Sequence, residues 1–443
     1  MNGHNTDIMT SSRGQRVALA ESKSPMSAIF ANLYDKDSNP GGLYNVGVAE
    51  NVLMHDILLE YITKKQPDLP TRYLTYNQGG GGSMRLKAAI GRFLTRHFHP
   101  VKPIQPDHVV VTNGLAAALE HLSWALADPG DGILLGRPYY GAFIPDLSLR
   151  TATEVVEVAF DGCDPLGSSA AQRYEQALLY FQHRTGKQIR MLVLCHPHNP
   201  LGRCYPRETI IQLMRLCQKY GVHLVSDEIY GLSTWENHID DDGSSPPPVE
   251  FESVLSIDTT DLIDDRLVHC LWGLSKDFGA NGLRIGAIIS QTNRTLHAIL
   301  SGTSPYSYVS GLSDHVAASL LEDDAFTTMY MNQNCQRIAT SFHFAARYLQ
   351  DRGIEYATGC NAGFFLWMNL GKKYLEVHPD RRAELTGDAL TKEIMRLLVS
   401  KKVFLASGLA FGSEEPGWFR IVVSHPVDFL QEALRRVEAA ICE

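Results

Sequence analysis

Between residues 109 and 289 the chain alternates short apolar runs with stretches of helical periodicity, and that alternation admits few folds. Residues 109–111, 132–135, 154–158, 191–195, 223–225, 267–271 and 285–289 are each of strand length and largely apolar. Strands without a polar face must be covered on both sides, which intervening helices can do. The pattern predicts an α/β fold whose large domain is a mainly parallel seven-stranded sheet sandwiched by helices. In such sheets ligands bind outside the strand ends, where helices begin. Residues 304–349 read as helical and lead out of the large domain, while 366–370 and 419–423 read as strands of a smaller α/β domain. At 443 residues the chain is too long for a single core. It divides into a polar tail over 1–25, read as disordered, a segment over 26–70 that packs with the small domain, a large domain over 71–310 and a small C-terminal domain over 311–443. Residues 240–248, rich in Asp, Gly, Ser and Pro, predict a surface loop.

One stretch of the large domain is chemically distinctive. Leu274-Ser275-Lys276-Asp277-Phe278-Gly279 precedes Gly282-Leu283-Arg284-Ile285-Gly286, which sets a lysine among small residues with an arginine eight positions on. A surface lysine stays protonated to near pH 10, whereas one that is desolvated or beside other cations can attack an aldehyde. Three other segments supply companions for it. His196-Pro197-His198-Asn199-Pro200-Leu201-Gly202 follows an apolar strand and reads as a turn. Ser226-Asp227-Glu228-Ile229-Tyr230 ends a buried strand in a carboxylate and a phenol. Trp418-Phe419-Arg420-Ile421 places an arginine inside an apolar strand, where an unpaired charge is costly. Taken singly, an Asn-Pro turn, an Asp cap and a strand Arg are ordinary structural features. In this order they match the needs of pyridoxal 5'-phosphate. Lys276 would take its aldehyde, Arg284 its phosphate, Asn199 and Tyr230 its phenolic oxygen, and Asp227 its ring nitrogen. Arg420 would grip the α-carboxylate of a small amino-acid substrate.

The chain resembles a fold type I pyridoxal-phosphate enzyme of the class I/II aminotransferase superfamily, and within it the 1-aminocyclopropane-1-carboxylate (ACC) synthase-like group. The resemblance runs from about residue 44 to the C-terminus. It is carried by Gly47-Val48-Ala49-Glu50-Asn51, Tyr73-Leu74-Thr75-Tyr76, Ala127-Asp128-Pro129-Gly130-Asp131, Pro138-Tyr139-Tyr140, Asn199-Pro200-Leu201-Gly202, Ser226-Asp227-Glu228-Ile229-Tyr230, Leu274-Ser275-Lys276-Asp277 and Pro416-Gly417-Trp418-Phe419-Arg420. It implies catalytic roles for Lys276, Tyr230, Asp227 and Tyr76, stacking of Tyr140 on the cofactor ring, and Glu50 and Arg420 at the substrate. It also implies that Tyr76 is lent to the neighbouring subunit's site, hence a homodimer with shared active sites. Ser275 and the backbone at Gly114, Leu115 and Ala116, opening a predicted helix, would add to the phosphate site.

Departures from the family pattern bear on the reaction. Gly273 and Ala116 stand where relatives carry hydroxyls for the phosphate, and Ile144-Pro145 replaces an Asp-Arg pair that helps ACC synthases hold S-adenosylmethionine. A glycine-rich loop, Gln78-Gly79-Gly80-Gly81-Gly82-Ser83, follows Tyr76-Asn77 and would admit or close over a bulkier substrate. The resemblance therefore points to elimination at the C–S bond of a cysteine-derived substrate, as in carbon–sulfur lyases of fungal secondary metabolism. Aminotransfer to a keto acid is the alternative, followed by authentic ACC synthesis and by a non-catalytic regulator of this fold. No basic DNA-binding module precedes the cofactor-like region to support the last.

Composition narrows the partners. A formal net charge of −9 argues against nucleic acid and anionic membranes. No apolar run approaches the roughly 20 residues that span a bilayer, and residues 1–21 lack the apolar core of a signal peptide. A cytoplasmic protein is expected. The eight cysteines show no C-x-x-C spacing and the histidines no H-E-x-x-H, so neither a disulfide framework nor a metal site is expected.

Overall fold

A computed structural model describes residues 10–22, 26–65, 69–240 and 246–442. Residues 1–9 and 23–25 of the expected tail and 241–245 of the expected loop lie outside them. Within the tail, Ser12–Ser22 forms a helix with no buried residue.

The strands are β1 (Tyr44–Asn45), β2 (Val109–Asn113), β3 (Gly132–Gly136), β4 (Glu154–Val158), β5 (Ile189–Cys195), β6 (His223–Asp227), β7 (Val268–Gly273), β8 (Ile285–Ile289), β9 (Phe365–Asn369), β10 (Val403–Phe404), β11 (Ala406–Ser407) and β12 (Trp418–Val422). Seven of these form one sheet in the order β2-β8-β7-β6-β5-β3-β4. Strands β3 to β7 are parallel, as the alternating pattern predicts. β8 runs antiparallel to both β7 and β2, a direction that an apolar run does not encode. Successive side chains of a strand point to opposite faces, so one face packs Ile133, Val193, Val225 and Leu271 under one set of helices and the other packs Leu134, Leu192, Leu224 and Trp272 under another.

A second, antiparallel sheet has the order β11-β12-β9 and carries Arg420 in its middle strand. β1 pairs in parallel with β10, which lays the 44–51 segment beside it. The helical stretch expected over 304–349 is three pieces: a 3-10 turn at Ser304–Ser307 and helices Gly311–Glu322 and Asp324–Asp351. Asp323 makes the second break, because its side chain accepts from the Phe326 backbone N–H at 3.1 Å and so starts a new helix. No helix of the described residues is long and apolar enough to cross a membrane.

Strand direction decides where chemistry collects. β2, β5, β6 and β7 end on one edge of the large sheet, and because β8 is reversed its first residues start there too. Asn113, Cys195, Asp227, Gly273 and Ile285 are thus edge positions. The sheet interior is the stability reserve that holds this edge. Leu192→Ala, at a fully buried β5 position, is expected to cost about 2–5 kcal/mol in urea denaturation. Leu59→Ala, at a site 66% exposed, should stay within about 0.5 kcal/mol of wild type.

Candidate active site

At that edge a cavity of about 230 Å³ is lined by Tyr140, Asn199, Asp227, Tyr230, Ser275, Lys276 and Arg284, together with Leu115 and Ala116. The turn after β7 presents Lys276. Its Nζ donates to the carbonyl of Ala49 at 2.5 Å, a contact made available by the β1–β10 pairing. Desolvation lowers the lysine's pKa to about 8; Arg420 and, less strongly, Arg284 press in the same direction against Glu50 and Asp227. Asp227 ends β6, and burial raises its carboxyl to about 7 although it accepts from the Ile229 backbone N–H at 3.2 Å. Burial also raises the phenols of Tyr140 and Tyr230, which keeps both protonated. Asn199 Nδ2 lies 3.5 Å from the Tyr230 hydroxyl.

Arg420 reaches toward this cavity from β12. One guanidinium N–H donates to Asn199 Oδ1 at 3.0 Å and another to the Gly47 carbonyl at 2.5 Å, while the Phe411 ring lies 4.8 Å from the guanidinium carbon. Its Nε is buried without a partner, and no carboxylate among the described residues pairs with it. A guanidinium removed from water wants an anion, and a substrate carboxylate would supply one.

The part of the cavity lined by Leu115, Ala116 and Arg284 is built for a second anion. Helix Leu115–Leu126 starts there with no side-chain cap, leaving first-turn N–H groups unpaired by the helix itself. Gly114 precedes it at φ 81°, and a Cβ there would lie 2.2 Å from a guanidinium nitrogen of Arg284. That arginine follows the 3-10 turn Asn281–Leu283 and donates to the Asn281 carbonyl at 2.9 Å. Gly273 faces the β8 backbone so closely that a Cβ would meet the Ile285 carbonyl oxygen at 2.4 Å. The absent hydroxyl at that position thus has a packing cause. Two anion sites, a low-pKa lysine and a buried acid, in and beside one cavity, fit pyridoxal phosphate with an amino-acid substrate.

Gly114 and Arg420 adjoin the cavity without lining it, and two further expected residues stand apart. Glu50 does not line the cavity; its Oε1 accepts from Asn281 Nδ2 at 2.9 Å, and Asn281 does line it. Tyr76 is 85% exposed, its ring 6.0 Å from that of Tyr308, and its own chain does not bring it to the cavity. Sequence reading missed Asp146, a cavity wall whose carboxyl is pushed by burial to about 6. The available signal was an acid in the otherwise apolar turn after Tyr140.

The family model described as aminotransferase class I and II matches residues 45–437. A probable aminotransferase of Leptosphaeria maculans, sirI, is 32% identical over 406 residues, covering 90% of this chain and 92% of that relative. The human 1-aminocyclopropane-1-carboxylate synthase-like protein 1 is 30% identical over 413 residues, covering 92% of this chain and 78% of the relative. The solved aspartate aminotransferase of Thermus thermophilus with maleate superimposes with a TM-score of 0.70 at 19% identity, covering 99% of this chain and 100% of that one. At that identity the likeness speaks for the fold.

The electrostatics of Lys276 make a signed prediction. Its amine becomes nucleophilic as it loses its proton, so capture of added pyridoxal phosphate by the cofactor-free protein should accelerate with a midpoint near pH 8. Arg420→Met removes a neighbouring cation and should raise that midpoint, whereas Glu50→Gln removes an anion and should lower it. Stopped-flow absorbance across pH reads both, and midpoints moving together would contradict this electrostatic account.

Proposed function

The chain belongs to the class I and II aminotransferase family, and from that premise we propose that it is a pyridoxal-phosphate enzyme that eliminates a sulfur leaving group from a cysteine-derived amino acid. The observation that carries the amino-acid part is Arg420, buried with an unpartnered Nε beside the lysine cavity. When bound, the cofactor supplies an electron sink for charge that develops at the substrate Cα. Arg284, Ser275 and the N–H groups at the start of helix Leu115–Leu126 would hold its phosphate. Asp227 would hold the ring N–H, Asn199 and Tyr230 the phenolic oxygen, and Tyr140 one ring face. Arg420 would orient the substrate carboxylate, and Lys276 Nζ would take the proton from Cα.

The charges at hand disfavour transfer to a dicarboxylic keto acid. A dicarboxylic keto-acid acceptor needs two anion partners besides the phosphate site. This chain offers Arg420 for one, with Glu50 and Asp146 nearby as repulsive groups. A relative named as ACC synthase-like accords with the resemblance to that group, whose reaction expels a sulfur substituent, while Ile144-Pro145 removes the charges suited to S-adenosylmethionine. The name of the Leptosphaeria relative favours transamination instead. Cofactor-loaded protein given cysteine S-conjugates should release thiol, keto acid and ammonia without any amino acceptor, and Lys276→Ala should lower that rate by about 10³-fold or more. Accumulation of pyridoxamine phosphate that only a keto acid discharges would make the enzyme an aminotransferase.

We further propose a homodimer in which Tyr76 completes the partner's cavity. Leu74, Tyr76, Met84, Tyr306 and Leu312 are exposed apolar side chains, and contacts of Tyr76 with Tyr308 and of Gly80 with Ser304 put their segments side by side. Such a grouping marks an interaction surface. Mixing inactive Tyr76→Ala with inactive Lys276→Ala after reversible dissociation should recover about one quarter of wild-type activity, because each mixed dimer holds one intact site. No recovery would contradict sharing.

A further inference from the structure

The backbone after Lys276 is held by more side chains than its turn requires. Three consecutive carbonyls, those of Asp277, Phe278 and Gly279, each accept from a side chain remote in sequence. The donors are Asn334 Nδ2 at 3.2 Å, the Tyr330 hydroxyl at 2.7 Å and the His55 ring Nε2 at 3.0 Å. Tyr330 and Asn334 lie one turn apart on helix Asp324–Asp351 and are fully buried. Asn334 Oδ1 accepts in turn from Asn51 Nδ2 at 2.8 Å. Asn51 belongs to the same segment as Ala49, whose carbonyl receives the lysine amine. On the other side, the Asp277 carboxylate accepts from Trp272 Nε1 at 3.1 Å, Ser233 Oγ at 2.8 Å and the Leu232 backbone N–H at 3.2 Å. The lysine turn is therefore suspended between the Tyr230 turn, the 44–51 segment and the long helix.

A buried side-chain amide costs desolvation that an apolar residue of similar size would not, so packing alone gives no reason for Asn334 in that helix. A fully satisfied polar network does fix geometry. Lys276 must serve twice, first bonded to the cofactor and then as a base at Cα, and misplacement by about 1 Å can cost on the order of 10²-fold in rate. Helix Asp324–Asp351 also contributes Ile338 and Phe342 to the core that includes Phe365 and Phe419 of the smaller sheet. The same rod thus touches the strands around Arg420 and the turn bearing Lys276.

We propose that Asn334, bridging Asn51 to the Asp277 carbonyl, and Tyr330, holding the Phe278 carbonyl, are positioning residues that set the reach of Lys276 toward cofactor and substrate. This rests on Lys276 being the cofactor-bonded lysine.

The test uses cofactor-loaded wild type, Asn334→Leu, Tyr330→Phe and Lys276→Ala, each followed by pH titration of the cofactor absorbance band and by steady-state kinetics. Tyr330→Phe removes one hydroxyl and keeps the ring, so it reports even where Asn334→Leu fails to fold. The expected result is a titration midpoint moved by about half a unit or more and a kcat lowered about 10-fold or more with KM within about 3-fold, cofactor content being unchanged. Tyr330→Phe, and Asn334→Leu where it folds, with wild-type midpoint and wild-type kcat would overturn this inference alone. A wild type with no Lys276-dependent band would overturn it together with the assignment of Lys276.

Discussion

Desolvation of one lysine is the constraint around which this site is arranged. Lys276 touches a neutral carbonyl at 2.5 Å, and its pKa falls to about 8. Two guanidinium groups share its neighbourhood, and both donate to uncharged oxygens: Asn199 Oδ1 and the Gly47 carbonyl for Arg420, the Asn281 and Asn113 carbonyls for Arg284. Two cationic side chains with neutral partners line a cavity, and a third lies beside it, so that the site wants anions. A phosphate beside Arg284 and a carboxylate beside Arg420 answer that want, and the lysine is kept nucleophilic chiefly by desolvation, with the two guanidinium groups adding in the same direction.

Such a field needs a scaffold that gathers charges from distant parts of the chain without unfolding. The parallel strands carry Asn199, Asp227 and Lys276 to one edge as successive strand-end turns. Arg284 arrives only because β8 is reversed; a parallel β8 would have put its first residues at the far edge. Arg420 comes from a separate small sheet, which the β1–β10 pairing ties to the 44–51 segment that also receives the lysine. Lys276 and Arg420 are thus joined through a piece of chain more than two hundred residues away from either.

Much of this was legible in the sequence because the needed residues sit in short motifs at strand ends. Lys276 with Arg284, Asp227 with Tyr230, and Asn199 are each fixed by local turn chemistry, and the structure lines one cavity with all five. What escaped depends on tertiary packing. Asp146 becomes a cavity wall only because helix Phe143–Ser148 docks on helix Leu115–Leu126, and the one local sign, an acid in an apolar stretch, does not say where it points. Asn334 sits mid-helix with no motif around it, and its partners Asn51 and Asp277 are remote in sequence. The direction of β8 escaped because an apolar run has no polarity. Tyr76 was named through family resemblance, and its exposure in the single chain leaves its destination to an assembly.

Among the lysines of the described residues, Lys276 alone combines a lowered pKa with two flanking guanidinium groups, so it is the lysine expected to bond the cofactor. Lys87 is the useful internal control, since burial lowers its pKa too but neither Arg284 nor Arg420 is among the causes. Borohydride reduction of the pyridoxal-phosphate-loaded protein, followed by peptide mapping, measures this directly. The account predicts one pyridoxyl group per chain, on Lys276. Stoichiometric label on Lys87 or another lysine, or none at all, would contradict it.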